Sequence, residues 1–385
     1  MKRSILFIIA ATGLTLCSCK PTITHHEEGS PQLISLNQNV TEIPCQEVHP
    51  SIDSCTYIVL ETNDNCLMGN IRTLRFRDDR FFMLDENDHV FVFDKSGKFL
   101  NTIGRKGNGP GEYIRIRSIF VNPEKEQITL IEPVRKMRLI YNYQGELLEE
   151  APIPIDGIIL GAIKKADYLG NGRIICECGA HIKSDMGIFT CNEDFSDMEV
   201  LYENDLTSKG LFSIFNSPFF IVDSASYFLK PLCDTLYRYS NSNRKIEASH
   251  LLVLKNPLPK GFVRNGQDFF EVRKELGAKG YRPLLGVVAT ERYCILTGFF
   301  GSLIWDLKEN KGTLHGSCAP YVNDARNPNI SITETMGKDF IAVLTPGNIL
   351  NYRDEKLVTS PKAAALKSRL KEDDNGAIII YHMKP

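Results

Sequence analysis

The sequence carries almost no net charge. Across 385 residues, 45 Lys and Arg stand against 47 Asp and Glu, −2 in all, a balance that gives no reason to expect nucleic acid or a polybasic membrane contact. Short motifs of common chemistry are missing too. There is no Gly-x-Ser-x-Gly elbow and the histidines are few and scattered, so serine hydrolysis finds no support. Around Cys176 and Cys178 no Cys-x-x-Cys or His-x-x-x-His supplies the further ligands that zinc needs. The glycine-rich stretch 104–111 has Arg105 and Lys106 to attract an anion, but it lacks the Gly-Lys-Ser/Thr ending of a phosphate loop, Pro110 removes an amide donor, and no helix is expected to follow. Gly104, Gly107, Gly109 and Gly111 therefore read as turn glycines in a structural connection. Finally, no apolar run is long enough for a permanent membrane span.

The longest such run, residues 5–16, follows Lys2-Arg3 and has the one-sided form of an export signal. It ends in Leu16-Cys17-Ser18-Cys19, which resembles the bacterial lipobox. Cys19 is the better acceptor, with small Ser18 before it and Leu16 three residues upstream. The expected organisation is a signal peptide at 1–18, a flexible tether at 19–46 and one folded domain at 47–385. Within the tether His25-His26-Glu27-Glu28 could hold a metal only at the cost of ordering a mobile segment. Export permits disulfides, and Cys45, Cys55 and Cys66 are close enough in sequence for one pair. Cys176 and Cys178 share a strand face and read as buried apolar residues.

The organising feature of the chain lies between residues 90 and 150. Asp94-Lys95-Ser96-Gly97 between two strand-like runs returns as Asn142-Tyr143-Gln144-Gly145, 145 − 97 = 48 residues later, a spacing in the range of propeller blades or solenoid units. Four strands are expected at 69–76, 80–84, 90–94 and 99–103, and four more at 113–121, 127–131, 137–143 and 146–150. Beyond them the repeat fades into strands at 173–178, 187–191 and 199–202; at 212–215, 219–222, 226–229 and 235–239; and at 284–289, 293–296, 303–305 and 312–315. A sixth unit starts at 330–333, 340–344 and 349–352. Helices are expected within 257–281, where Phe269, Val272 and Leu276 are spaced by three and four, and at 361–372. The terminal strand 377–381 is expected to pair with a strand near Tyr57 or Ile330, which would close a ring and leave no open edge.

The run Phe93-Asp94-x-x-Gly97-Lys98-Phe99 followed by Ile103-Gly104-x-x-Gly107-x-Gly109-Pro110-Gly111-Glu112-Tyr113 resembles the NHL-type repeat. More closely, the chain is similar to a family of six-bladed β-propeller lipoproteins of Bacteroidetes-type bacteria, through residues 57–62, 233–237 and 370–375 as well. It departs from that family in having Gly376 after Asn375. The resemblance implies an all-β fold, a six-bladed propeller of four-stranded antiparallel blades with short helical insertions, and brings no catalytic residue with it.

Propeller enzymes hold a divalent ion such as calcium with acids from several blades. The candidates here are Glu61, Asp85, Glu132, Asp223 and Asp306, at strand ends of different units. Asp223-Ser224-Ala225 and Asp234-Thr235-Leu236 resemble the short O-glycosylation sequon of such bacteria. The leading expectation is a lipid-anchored, monomeric, cell-envelope module of a Gram-negative bacterium, without a cofactor, binding a protein, peptide or glycan. Its rival is a metal-dependent hydrolase or lactonase using channel carboxylates.

Overall fold

The run Phe81-Phe82-Met83-Leu84 is buried at every position, so the strand that carries it must be covered on both faces. The computed structural model shows how. It describes residues 22–23, 26–27, 32–35, 39–44, 49–179, 186–203, 219–222, 225–230, 233–253, 274–276, 278–279, 284–298, 301–315, 332–350 and 361–385. Phe81 and Met83 enter one apolar cluster with Ile341, Ile378 and Ile380. Phe82 and Leu84 enter another with Ile119, Ile128 and Leu139. The two-residue period of a strand thus sorts its side chains between two neighbouring sheets.

Six four-stranded antiparallel sheets repeat this arrangement and form a six-bladed β-propeller. Blade 1 is Ile71–Arg77, Arg80–Asp85, Val90–Asp94 and Phe99–Thr102. Blade 2 is Ser118–Asn122, Gln127–Glu132, Met137–Asn142 and Leu147–Pro152. Blade 3 is Ile163–Gly170, Arg173–Cys178, Met186–Asn192 and Glu199–Glu203. Blade 4 is Phe219–Val222, Ala225–Leu229, Thr235–Ser240 and Lys245–Val253. Blade 5 is Leu284–Ala289, Tyr293–Gly298, Gly301–Asp306 and Lys311–His315. Blade 6 is Ile332–Met336, Asp339–Leu344, Ala377–Met383 and, from the other end of the chain, Ile52–Val59. Each of the six interfaces between blades has its own buried cluster, so the core is a ring of wedges rather than one mass.

Closure occurs where it was expected. The terminal strand pairs with both the 339–344 strand and the 52–59 strand, with Ala377 opposite Val59 and Tyr381 opposite Cys55. Asn375 latches the junction. Its side-chain amide donates to the carbonyls of Glu61 (2.6 Å) and Cys66 (2.7 Å), and its Oδ1 accepts from the Met68 amide at 2.8 Å.

Several expectations need correction. Within the segment expected to be a flexible tether, four described stretches are paired strands: Thr22–Ile23 pairs in parallel with the outer strand of blade 3, His26–Glu27 and Gln32–Ser35 with that of blade 4, and Val40–Ile43 with that of blade 5. An extended polar segment can do this because an outer strand presents a row of unpaired amides and carbonyls. The third strand of blade 6 is the terminal one, while Pro346–Leu350, where part of a strand was expected, is helical. The expected strand at 113–121 divides into Glu112–Tyr113, paired with Arg105–Lys106, and Ser118–Asn122. Cys66 is a buried free thiol, so Cys55 and Cys66, both buried, do not form the expected pair; Cys45 lies outside the described residues. Cys176, Cys178 and Cys191 are buried free thiols in the interface between blades 2 and 3. The helix expected at 361–372 is Pro361–Arg369. Of the 257–281 segment only 274–276 and 278–279 are described, and both are helical, while the strand expected at 212–215 lies outside the described residues.

Candidate functional site

The first strand of every blade faces the axis of the ring. On blade 1, Arg75 and Arg77 share a strand face by their spacing of two, and both reach across the channel. Arg75 Nε lies 3.3 Å from Asp167 of blade 3 and its NH1 group 3.7 Å from Glu334 of blade 6. Arg77 repeats the bridge at 3.2 Å and 3.6 Å. Arg75 is 3% exposed, and its guanidinium also donates to the carbonyls of Leu74 and Ala166. Burial alone would strip protons from Arg77, but Asp167 and Glu334 outweigh it and raise its pKa. Burial likewise works against an ionised Asp167, and the neighbouring Arg75, Arg77 and Lys165 overcome it and lower its pKa. A paired, hydrogen-bonded cluster of this kind costs much to desolvate and fixes geometry more than it adds stability.

Above this cluster opens a cavity of about 320 Å³ to which all six blades contribute: Arg77, Glu124, Lys165, Phe220, Val288 and Glu334 are one wall residue from each. Its remaining wall residues sit at the ends of first strands and in the turns that follow them, so it opens on the face carrying those turns. One arc, from blades 1, 2, 3 and 6, is polar. The other, with Phe220, Ile221, Val288 and Ala289, is apolar. Lys165 is half-buried, donates to the Phe219 carbonyl at 2.9 Å and lies 4.3 Å from the centre of the Phe219 ring. Burial, with Arg75 nearby, pushes its pKa down to about 8. Directly across the hairpin from it, Glu177 is pushed up to about 7 by burial. These channel residues were not singled out in the sequence. The one signal available was charge inside a strand, at Lys165 and Asp167, and that same charge hid the strand.

The expected acids do not converge. Asp85 and Glu132 end second strands and are fully buried, on the face opposite the cavity. Asp85 accepts from the amides of Gly69 and His89, and Glu132 from those of Val134 and Arg135. Asp306 ends a third strand, away from the axis, where it caps Lys308 and Glu309 and pairs with Arg292. Glu61 is exposed and accepts from Asn63 and Phe99. Asp223 lies outside the described residues, as does Cys19. Among the described residues, no three His, Cys, Asp or Glu side chains gather as metal ligands would. Thr235 opens a strand of blade 4, its hydroxyl donating to Asp234.

The glycine-rich connection between blades 1 and 2 supplies its own anion. Glu112 accepts from the Gly109 amide at 2.8 Å and from Arg105 at 2.6 Å. A side chain at Gly107 would stand 1.9 Å from the Glu112 carboxylate and would have to displace it from this position. Gly104 and Gly111 are the two of the four with positive φ, +64° and +68°.

One hydrogen-bond relay has the spacing of an acyl-transfer triad. Thr56 Oγ1 lies 2.9 Å from His382 Nε2, and His382 Nδ1 lies 2.8 Å from Asp339. Sequence spacing could not have suggested it, because Thr56 and His382 come from opposite ends of the chain. Thr56 is exposed on the outermost strand, and Asp339 also accepts from the Met383 amide. The relay ties three strands of the closing blade together.

A family model described as a domain of unknown function, DUF4934, matches residues 32–382, which takes in most of the segment that runs along blades 4 and 5. Among solved structures, the chain is similar to a Bacteroides fragilis protein described as exported, at 21% identity, with 92% of this chain and 100% of that one covered and a TM-score of 0.71. A member of the DUF4221 family from Bacteroides vulgatus is similar at 10% identity, covering 88% and 99%, with a TM-score of 0.51. At these identities the likeness speaks to the fold. No curated protein matches.

Proposed function

The chain belongs to the DUF4934 family, and from there we propose that it is a lipid-anchored cell-envelope β-propeller that works as a non-catalytic binding module, with the channel mouth as its binding face. The observation that carries this reading is the cavity walled by all six blades over a locked ionic floor. A ring of wedges holds such a mouth rigid, and rigidity lowers the ordering cost of binding. The described acids that a channel hydrolase would use are spent on separate turns, which favours binding over metal chemistry. Export and anchoring are supported by residues 1–19 and by the description of the B. fragilis relative as exported.

The test compares the two faces. Purified protein lacking residues 1–19 should capture a partner or small molecule from envelope extract. Glu124→Arg at the mouth should abolish capture, whereas His89→Ala on the opposite face should leave it intact. Loss with His89→Ala and retention with Glu124→Arg would overturn the assignment of the face. Chelation should leave the melting temperature unchanged, and a large shift would restore the metal-dependent reading. Cys19→Ala should release the full chain from membranes.

A further inference from the structure

The ionic floor is unbalanced. Three cations, Arg75, Arg77 and Lys165, stand with two carboxylates, Asp167 and Glu334, that the arginines engage, while the Glu177 carboxyl, across the hairpin from Lys165, is pushed by burial towards its neutral form with a pKa of about 7. A third wall carboxylate, Glu124, is turned away to the Tyr168 hydroxyl (2.8 Å) and the Asn171 amide. Lys165 therefore borders the cavity with a single hydrogen bond among the described residues, to the Phe219 carbonyl, and with ammonium protons to spare. Opposite it stand Phe220, Ile221, Val288 and Ala289. On the far side of Phe220 and Ala289 lies a second, largely apolar cavity of about 70 Å³ between blades 4 and 5, walled by Leu236, Leu252 and Leu296 among others.

We propose that the channel mouth binds a small amphipathic carboxylate, whose charged end is held by Lys165 and whose apolar body lies against the Phe220 and Ala289 wall. This deepens the binding-module reading and rests on it. A carboxylate supplies Lys165 with a charged acceptor beyond the Phe219 carbonyl and offsets the positive charge of the floor, while a desolvated setting strengthens the contact. Both arginines beneath are already paired with Asp167 and Glu334, which leaves Lys165 to hold one negative charge, so monoanions are preferred over dianions.

The contact is lost at high pH. Lys165 faces Arg75, Asp167, Glu334 and Glu177, and it gives up its proton near pH 8 in the unliganded protein. Affinity for a carboxylate should then fall about tenfold per pH unit above the lysine's pKa in the free protein, and level off once the pH passes its raised pKa in the complex.

Phenylacetate, hexanoate and the uncharged phenylacetamide serve as probes, followed by calorimetry and melting on the protein lacking residues 1–19. Millimolar phenylacetate or hexanoate should bind and raise the melting temperature at about pH 7, with binding weakened at least tenfold near pH 10. Phenylacetamide should bind at least tenfold more weakly. Lys165→Met should abolish carboxylate binding and Lys165→Arg should retain part of it. Equal binding of phenylacetamide, or unchanged binding to a folded Lys165→Met protein, overturns the proposal. So does failure of both carboxylates to bind the wild type, and in that event capture at the mouth by Glu124-dependent means would still uphold the binding module. The phenylacetamide comparison needs no variant, so a misfolded Lys165→Met protein does not shield the proposal.

Discussion

Blades 1 and 2 and blades 3 to 5 solve the same turn in different ways. In the third hairpin of blade 1, Gly97 adopts φ +87°, and in blade 2 Gly145 adopts +86°. The turn before each is held by a side-chain oxygen, of Asp94 and of Asn142. Blade 3 keeps the left-handed residue but places Phe195 there (+65°), blade 4 uses Arg244 (+55°) and blade 5 Asn310 (+51°). The conformation repeats around the ring while the glycine does not. The first two blades need glycine for a second reason: a Cβ at Gly97 would stand 2.4 Å from the Val59 carbonyl oxygen and one at Gly145 2.7 Å from that of Thr102, each on the outer strand of the preceding blade. Where glycine has gone, the outer edge is instead paired with the short strands Thr22–Ile23, His26–Glu27, Gln32–Ser35 and Val40–Ile43. Blades 1 and 2 stand as four-stranded units, whereas blades 3 and 5 each have one borrowed strand and blade 4 has two.

The difference can be broken at several points. Removing residues 377–385 would strip blade 6 of its third strand and leave Ile52–Val59 and Asp339–Leu344 without the partner between them. This should abolish cooperative melting of the whole ring, and a truncated protein with unchanged melting would disprove closure. Deleting residues up to 46 should act on half of the ring. Hydrogen exchange should quicken in 199–203, 245–253 and 311–315 while 99–102 and 147–152 keep their protection; uniform loss would mean that the segment supports the ring as a whole.

Smaller changes sharpen the contrast at the turns. Gly97→Ala meets a backbone oxygen at an unfavourable φ, and about 2–3 kcal/mol of stability should be lost in denaturant titration. Asn310→Gly should go the other way by about 0.5–1 kcal/mol, because it relieves a left-handed non-glycine residue and removes a buried side-chain oxygen without a partner. Glu177→Gln probes the channel. The raised pKa means that the folded state holds the proton more tightly than the unfolded chain, so wild-type stability should rise as the pH falls from about 7 towards 4.5, the group's ordinary value. The variant should therefore be more stable than wild type by about 1–2 kcal/mol above pH 7 and lose that advantage near pH 4.5. A pH-independent difference would place the effect in packing.

Against these particulars, what the sequence could reveal is plain. Blades 1 and 2 were legible because buried apolar strands and glycine turns coincide there. Ile163–Gly170 was missed because a channel-facing strand carries Lys165 and Asp167, which spoil an apolar pattern. Lys245–Val253 was missed for a related reason: its middle residues are only half-buried and its outer edge is covered by chain from 200 residues earlier. The candidate site was invisible for a simpler reason. Its residues come five from blade 3 and one or two from each other blade, and no short motif can hold them. Asp85, Glu132 and Asp306, chosen instead, stand out in sequence because they end strands, and strand ends are where turns need an acceptor.

The pairing of Ile52–Val59 with Ala377–Met383 also sets an order of events. The earliest blade strand to be made finds its partner only when the chain is almost complete, and strands 22–43 wait for partners between 199 and 315. Such separations make folding slow and keep a growing chain from settling early. On the proposed reading of residues 1–18 as an export signal this is an advantage. Under that reading the chain threaded across a membrane is one that has not yet been able to close.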